Sequence, residues 1–188
     1  MRKFTLLAAA LIAAPIAATP GAALAQATNT STKTVGVVGT APAMCFGGTL
    51  TGTGSYDLGI LIDTSTGQLR TDLAAPVKIL VGSFCTGRST ITVLATPLAA
   101  QNSTVAPPTG FSRQIDYVAT ASGWTTTPAA FNTATPANNA ATQTRASAFT
   151  GDITVAISGF ATSGGNALRL VADDNYRGQV TVTIAAVN

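Results

Sequence analysis

The residues able to do chemistry in this chain are few, and their types exclude the commonest catalytic classes. The 188-residue sequence contains no histidine, and each of its seven acidic residues is an aspartate. Without histidine, the chain cannot form a Ser–His or Cys–His pair or a His-ligated zinc or copper site. A Ser–Lys pair would need Lys33, in a polar N-terminal stretch, or Lys78, inside a predicted strand. We therefore expect a non-enzymatic protein with no catalytic residues and no cofactor.

Two short stretches carry oxygen-bearing side chains that resemble calcium ligands. One contains Asp63, Ser65 and Gln68, and the other is Asp173-Asp174-Asn175. Calcium takes about 6–8 oxygen ligands, and neither stretch supplies that number alone. Aspartate and asparagine before a strand more often form turns. We predict two turns here and no metal site.

The two cysteines, Cys45 and Cys85, lie 40 positions apart. An even number of cysteines in an exported chain indicates a disulfide bond. That bond would close a loop of about 40 residues, worth roughly 4 kcal/mol in the chain-entropy estimate. Two free thiols, or pairing between two chains, are the alternatives.

The N-terminus has the features of a secretory leader. Arg2 and Lys3 precede an apolar run over residues 4–18, and small residues at Ala23, Ala25 and Ala27 suit a signal-peptidase site. We predict a signal peptide over residues 1–25 and export to the periplasm, cell surface or extracellular space, with no membrane span after cleavage. Removing Arg2 and Lys3 leaves 8 basic against 7 acidic residues, so we expect no nucleic-acid or anionic-membrane partner.

Alternating β-branched residues predict strands along most of the remaining chain. The clearest pair runs from Ala75 to Leu94, with a turn at residues 86–88, and Cys85 ends its first strand. In that strand we expect odd-numbered side chains, from Val77 to Cys85, on one face. Ile91 and Val93 should share one face of the second. Further strands are predicted at residues 113–120, 149–157, 167–172 and 179–187.

About seven or eight short strands and no amphipathic helix indicate an all-β fold. Because each half-apolar sheet must bury one face, we predict an immunoglobulin-like two-sheet antiparallel β-sandwich over residues 45–188. Residues 26–44 would form an N-terminal extension or the first strand.

The segment Ser122–Arg145 is rich in Ala, Thr, Asn and Pro, and it contains Trp124 and Phe131. We predict a surface excursion, such as a hairpin whose two aromatic side chains dock onto the sandwich. Alternatively, an exposed Trp124 could contact a sugar or a partner. That alternative describes a complete monomeric recognition module for carbohydrate or another surface ligand.

Four features together resemble the exported pilin-like β-sandwich proteins of chaperone–usher systems, including the spore coat protein U-like branch. An extension over residues 26–44 leads to a first-strand cysteine, and a second cysteine follows at the end of an apolar strand. Tyr56-Asp57-Leu58-Gly59 is similar to an element that follows the first cysteine in those families. Residues 175–184 resemble their closing strand. Three features depart from the pattern: the length of residues 122–145, Leu58 in place of an aromatic residue, and a last strand that continues beyond Thr183.

The resemblance implies a structural or adhesive subunit of a fimbrium-like appendage or coat. Such a sandwich lacks one strand, and an extended segment of a partner fills the gap. Its partners would be identical or related subunits and a periplasmic chaperone and usher. The candidate donor here is Thr32 to Thr40, with Val35 and Val37 as groove-filling residues and Gly36 between them. The alternative is that this segment is the first strand of the protein's own sandwich.

Overall fold

A computed structural model describes residues 30–135, 137 and 139–187 of the chain. The predicted signal peptide, residues 1–25, lies outside the described residues. The chain divides into one unit that ends at Gly39 and a second that begins at Thr40. In the first unit, the described residues 30–39 form no helix or strand, and their side chains are exposed.

The second unit is an all-β fold, which confirms the predicted fold class. Among its described residues, seven strands have four residues or more, and four have only two. The long strands are β3 (Lys78–Cys85), β4 (Ser89–Ala100), β6 (Gln114–Ser122), β7 (Ala129–Asn132), β8 (Thr142–Arg145), β9 (Phe149–Thr162) and β11 (Tyr176–Ala186). The short ones are β1 (Cys45–Phe46), β2 (Thr49–Leu50), β5 (Phe111–Ser112) and β10 (Arg169–Leu170), and one 3₁₀ turn spans Asn139–Ala141.

Nine strands belong to a single antiparallel sheet that folds over itself into two layers. The path runs β1-β3-β9-β6-β4-β11, with β2 on β3, β7 on β6 and β8 on β4. β4 and β6 pair over only two positions, Leu98 with Ile115 and Ala99 with Gln114. This corner brings β4, β8 and β11 over the layer formed by β3, β9 and β6. A separate parallel pair joins β5 and β10.

The core lies between the two layers and is built by the alternation seen in the sequence. Ile91 and Val93 of β4 are 0 % exposed, whereas Thr92 between them and Thr90 before them are only half-buried. They meet inward side chains of β6 and β9. The core cluster comprises Cys85, Ile91, Val93, Tyr117, Ala119, Ala121, Trp124, Ala129, Ile153, Val155 and Ile157.

The expected facing of β3 is wrong at one end because the strand carries a bulge. Its pairing with β9 shifts between Leu80 and Ser83, and Gly82 has a φ of 70°. The bulge changes which side chains point inward. Leu80, Ser83 and Cys85 therefore face the core, while Val81 is exposed.

Other strands also begin or end at residues different from those predicted, because pairing with distant strands sets their ends. β9 continues through Gly159, whose φ of 64° is left-handed, and it ends at Thr162. The strand predicted at 167–172 shrinks to Arg169–Leu170. The segment Ser122–Arg145 is more than a surface excursion: β7 forms an antiparallel hairpin with β6, and β8 pairs with β4. It therefore crosses from one layer to the other. Its two aromatic residues, Trp124 and Phe131, pack against the core as predicted.

Candidate functional site: a groove beside the last strand

The last strand, β11, has one open edge. It pairs with β4 from Tyr176 to Ala186, and among the described residues it forms no ladder with any other strand. At its far end β1 approaches it without pairing. Alternate side chains Val180, Val182 and Ile184 point inward and are half-buried against the core. The edge therefore offers free backbone groups beside an apolar face.

Three cavities lie along this edge, and together we call them the β11 groove. Their volumes are about 150, 550 and 370 Å³. The smallest is apolar over most of its wall, with Leu50, Leu80, Val155, Val180 and Val182. The other two open beside Tyr176 and reach Leu98. Tyr117 and Ile157 line the cavity of about 550 Å³, so the groove reaches the core of the sandwich.

Tyr56 is the one residue that lines all three cavities. Its hydroxyl donates a 2.8 Å hydrogen bond to the carbonyl oxygen of Val155 on β9. β3 begins at Lys78, opposite Val155, so β9 has no β3 neighbour beyond this point. Leu58, two residues on, also packs against the core. The chain around Tyr56 thus crosses the groove where β3 no longer covers β9.

Charge is scarce only in the smallest cavity, where Lys78 is the one charged lining residue; Asp57, Asp173, Asp174 and Arg177 line the two larger cavities. Lys78 Nζ lies 5.7 Å from the centre of the Tyr56 ring and contacts Thr53 Oγ1 at 3.3 Å. Burial raises the pKa of the Tyr56 phenol. Burial, and then the neighbouring Tyr56, raise the pKa of Tyr117 to about 12. Both phenols are neutral near pH 7, so the smallest cavity, beside Val180 and Val182, suits an apolar segment better than an ionic one.

The structure also places the candidate donor residues. No residue between 30 and 44 belongs to a strand. Val35 is 82 % exposed and Val37 is 95 % exposed, and Gly36 has no neighbouring atom within 4 Å of where a Cβ would stand. The choice between a donor segment and a first strand of the protein's own sandwich stays a prediction.

The two cysteines are joined, which confirms the predicted disulfide bond. Cys45 of β1 stands directly opposite Cys85 of β3 in the antiparallel register. Met44 and Thr86 exchange backbone and side-chain hydrogen bonds beside the disulfide. This bond fixes the start of the sandwich against its third strand.

Trp124 is 0 % exposed, which matches the packing interpretation of this residue and not the ligand-contact one. Its ring lies 4.3 Å from that of Phe149, centre to centre, and its carbonyl oxygen accepts a 2.8 Å hydrogen bond from Arg145. A ligand on the surface has no access to this indole. The carbohydrate-binding alternative therefore loses the aromatic residue on which it depended.

The two aspartate stretches are turns, as predicted. Asp173 accepts hydrogen bonds from the backbone N–H groups of Asn102, Ser103 and Asn175. Burial raises the pKa of Asp173, but these donors outweigh it and hold the pKa below its usual value. Asp63 accepts from the hydroxyl and the amide of Ser65, which lower the pKa of Asp63. The described residues hold no group of three or more potential His, Cys, Asp or Glu metal ligands.

Comparisons with family models, with curated protein sequences and with solved structures find no match to this chain. The described part of the chain also lacks any helix with the length and hydrophobicity that a membrane crossing requires.

Sequence reasoning did not identify the groove residues. The alternation of β11 signals one buried face, but periodicity cannot show which edge of a strand stays unpaired. Leu50 and Tyr56 come from a stretch with no strand pattern, and their approach to β11 depends on the fold. Two features of the resemblance pointed toward this region: the similarity of Tyr56-Asp57-Leu58-Gly59 to an element of those families, and that of residues 175–184 to their closing strand.

Proposed function

We propose that this chain is a non-enzymatic structural or adhesive subunit of a bacterial surface appendage or coat, assembled by strand donation. The extension around Val35–Val37 of one copy pairs with the open edge of β11 in the next copy. The observation that carries the proposal is this open edge beside an apolar groove. The exposed valines of the extension supply a segment of matching chemistry.

The proposed contact joins two kinds of interaction. An added strand forms main-chain hydrogen bonds with β11, and its alternate side chains enter the groove. Val35 and Val37 are two residues apart, so they point to the same side of an extended strand. Burying a valine side chain contributes about 1.5–3 kcal/mol. The disulfide supports export to an oxidising compartment, where such subunits are joined.

The assembly test is a double substitution in the extension. Val35→Asp with Val37→Asp places two charges in an apolar groove, so we expect assembly to be lost while the monomer still folds with its intact disulfide. Size-exclusion chromatography with light scattering measures the mass, and circular dichroism checks the fold. The matched control is Val38→Asp with Thr40→Asp, which adds the same charges to the opposite face of the strand and should still assemble.

Two results would overturn strand donation. One is a wild-type chain that remains a stable monomer at all concentrations, with or without residues 26–44. The other is equal loss of assembly in the two double variants, which would show that charge alone, and not the face of the strand, determines the result.

A further inference from the structure

The segment Gly54–Gly59, which we call the Tyr56 strap, is held in the groove by few interactions. Among the described residues, its one hydrogen bond to a distant part of the chain is that from Tyr56 to Val155. The Gly59 amide bonds only locally, to Asp57. Tyr56 and Leu58 are its two half-buried side chains, and the others are exposed. The strap adds no ladder to either sheet layer.

Glycines flank the strap with conformational freedom and open space. Gly52 and Gly59 have φ values of 68° and 63°, in the left-handed region that favours glycine. Neither Gly54 nor Gly59 has an atom within 4 Å of where a Cβ would stand. Packing around these glycines therefore does not fix the ends of the strap.

What the strap covers is the core side of the groove. Tyr117 is 2 % exposed and Ile157 is 8 % exposed, although both line the cavity that Tyr56 also walls. Without Tyr56, these side chains would face solvent through the gap beside β11. The phenol ring thus covers the space that an added strand would cover.

We infer that the Tyr56 strap is a displaceable plug: it covers the β11 groove in the free subunit and swings out when a partner strand pairs with β11. This inference rests on the proposed function. The interactions lost and gained in this exchange are similar in kind. When the strap leaves, the contacts of its two half-buried side chains with the groove and one hydrogen bond are lost. The incoming strand brings two valines and a backbone ladder in return. A plug of this kind keeps an open-edged subunit from exposing its core before assembly.

Fluorine NMR can observe the exchange directly, since the sequence contains three tyrosines. The acceptor is the full chain carrying Val35→Asp and Val37→Asp, labelled with 3-fluorotyrosine. The probe is a synthetic peptide spanning residues 30–44. Single Tyr→Phe variants assign the three signals. We expect saturating peptide to move the Tyr56 signal to the position of a solvent-exposed fluorotyrosine, while the Tyr117 signal keeps a buried shift.

Affinity gives a second readout with a matched control. In the same acceptor, Tyr56→Phe keeps the ring but removes the hydrogen bond to Val155, so the plug should leave more easily. We expect about 5-fold tighter peptide binding, the equivalent of one hydrogen bond of about 1 kcal/mol. Thr125→Val is the control, because its hydroxyl also donates a hydrogen bond to a backbone carbonyl oxygen, that of Thr127, and neither residue lines the groove. It should leave the affinity unchanged.

The outcomes separate the two proposals. A Tyr56 signal that stays buried with peptide bound, or weaker binding by Tyr56→Phe, would make Tyr56 a fixed wall and overturn the plug while strand donation stands. If no acceptor binds the peptide, strand donation fails. Relaxation dispersion of the fluorotyrosine signals in the free acceptor then decides the strap alone: exchange of Tyr56 with a minor exposed state, without such exchange at Tyr176, supports a strap that opens, and no exchange at Tyr56 overturns it.

Discussion

Two buried aromatic residues differ in whether their polar atom forms a hydrogen bond. Trp124 Nε1 is buried and has no hydrogen-bond partner among the described residues, so the indole contributes through packing alone. The Tyr117 hydroxyl, by contrast, donates to the carbonyl oxygens of Thr96 and Gln179 at 2.8 and 3.2 Å. It thereby ties β6 to the neighbouring strands β4 and β11. Tyr117 supports the groove from beneath as well as lining it.

Ionisation of Tyr117 should make the folded protein less stable at alkaline pH. Its folded pKa is about 12 because of burial, against an ordinary value of 10.0. A raised pKa gives stability that is fully present below about pH 10 and is lost as the pH rises toward 12. Two pKa units limit this loss to roughly 2–3 kcal/mol. Urea unfolding at pH 7, 9 and 11 should show the decline.

The matched variant for this prediction is Tyr117→Phe. It loses hydrogen bonds worth about 1 kcal/mol at pH 7, but its stability should fall less between pH 9 and pH 11 than that of the wild type. Tyr56 and Tyr176 also have pKa values raised by burial, so some alkaline decline remains. Parallel pH curves for the two proteins would contradict the assignment to Tyr117.

Among the elements, the shortest strands depend most on a covalent bond. β1 has two residues, and its only partner strand is β3. Gly48, just beyond β1, lies so close to β3 that a Cβ would stand 2.6 Å from the Val81 carbonyl oxygen. Such a short edge gains little from its own ladder, so the bond between Cys45 and Cys85 holds it in register.

Removing this disulfide should lower stability by about 4 kcal/mol, the entropy estimate for a loop of roughly 40 residues. Urea unfolding of a Cys45→Ala, Cys85→Ala variant measures the loss. Wild-type protein treated with a reductant is the companion sample, and it should unfold near the variant's midpoint. An oxidised wild type no more stable than either would show that the bond contributes nothing to the fold.

At the scale of the whole molecule, few charges meet at the apolar part of the proposed contact. The described extension carries only Lys33, and Lys78 is the one charged residue in the lining of the smallest cavity, whereas Asp57, Asp173, Asp174 and Arg177 line the two larger cavities. The two valines therefore meet no ion pair in the smallest cavity. Association must then come from apolar burial and main-chain hydrogen bonds, as in strand addition generally. The low content of charged residues, 9 %, agrees with this expectation.

Salt therefore tests the physical basis of the assembly. Between 50 and 500 mM NaCl we expect the association constant to change less than about 3-fold, because screening acts on charge pairs. Any small change should come from Lys33, which Lys78 repels and the carboxylates of the two larger cavities attract. Light scattering over a concentration series measures it. A tenfold loss in high salt would point to ionic association and away from the groove.

The sequence by itself determined the all-β class, the disulfide pair and most of the strands, because these follow from local alternation and from residue types. Ile91 and Val93 face the core as their spacing required, and Asp63 and Asp173 form the turns that their chemistry favours. Only the tertiary structure decided that Trp124 is buried, that Gly82 reverses the facing of β3, and that β11 keeps an open edge beside Tyr56. Each of these depends on which distant strands meet. A period of two fixes the faces of a strand but not its neighbours, its bulges or the edge that it leaves unpaired.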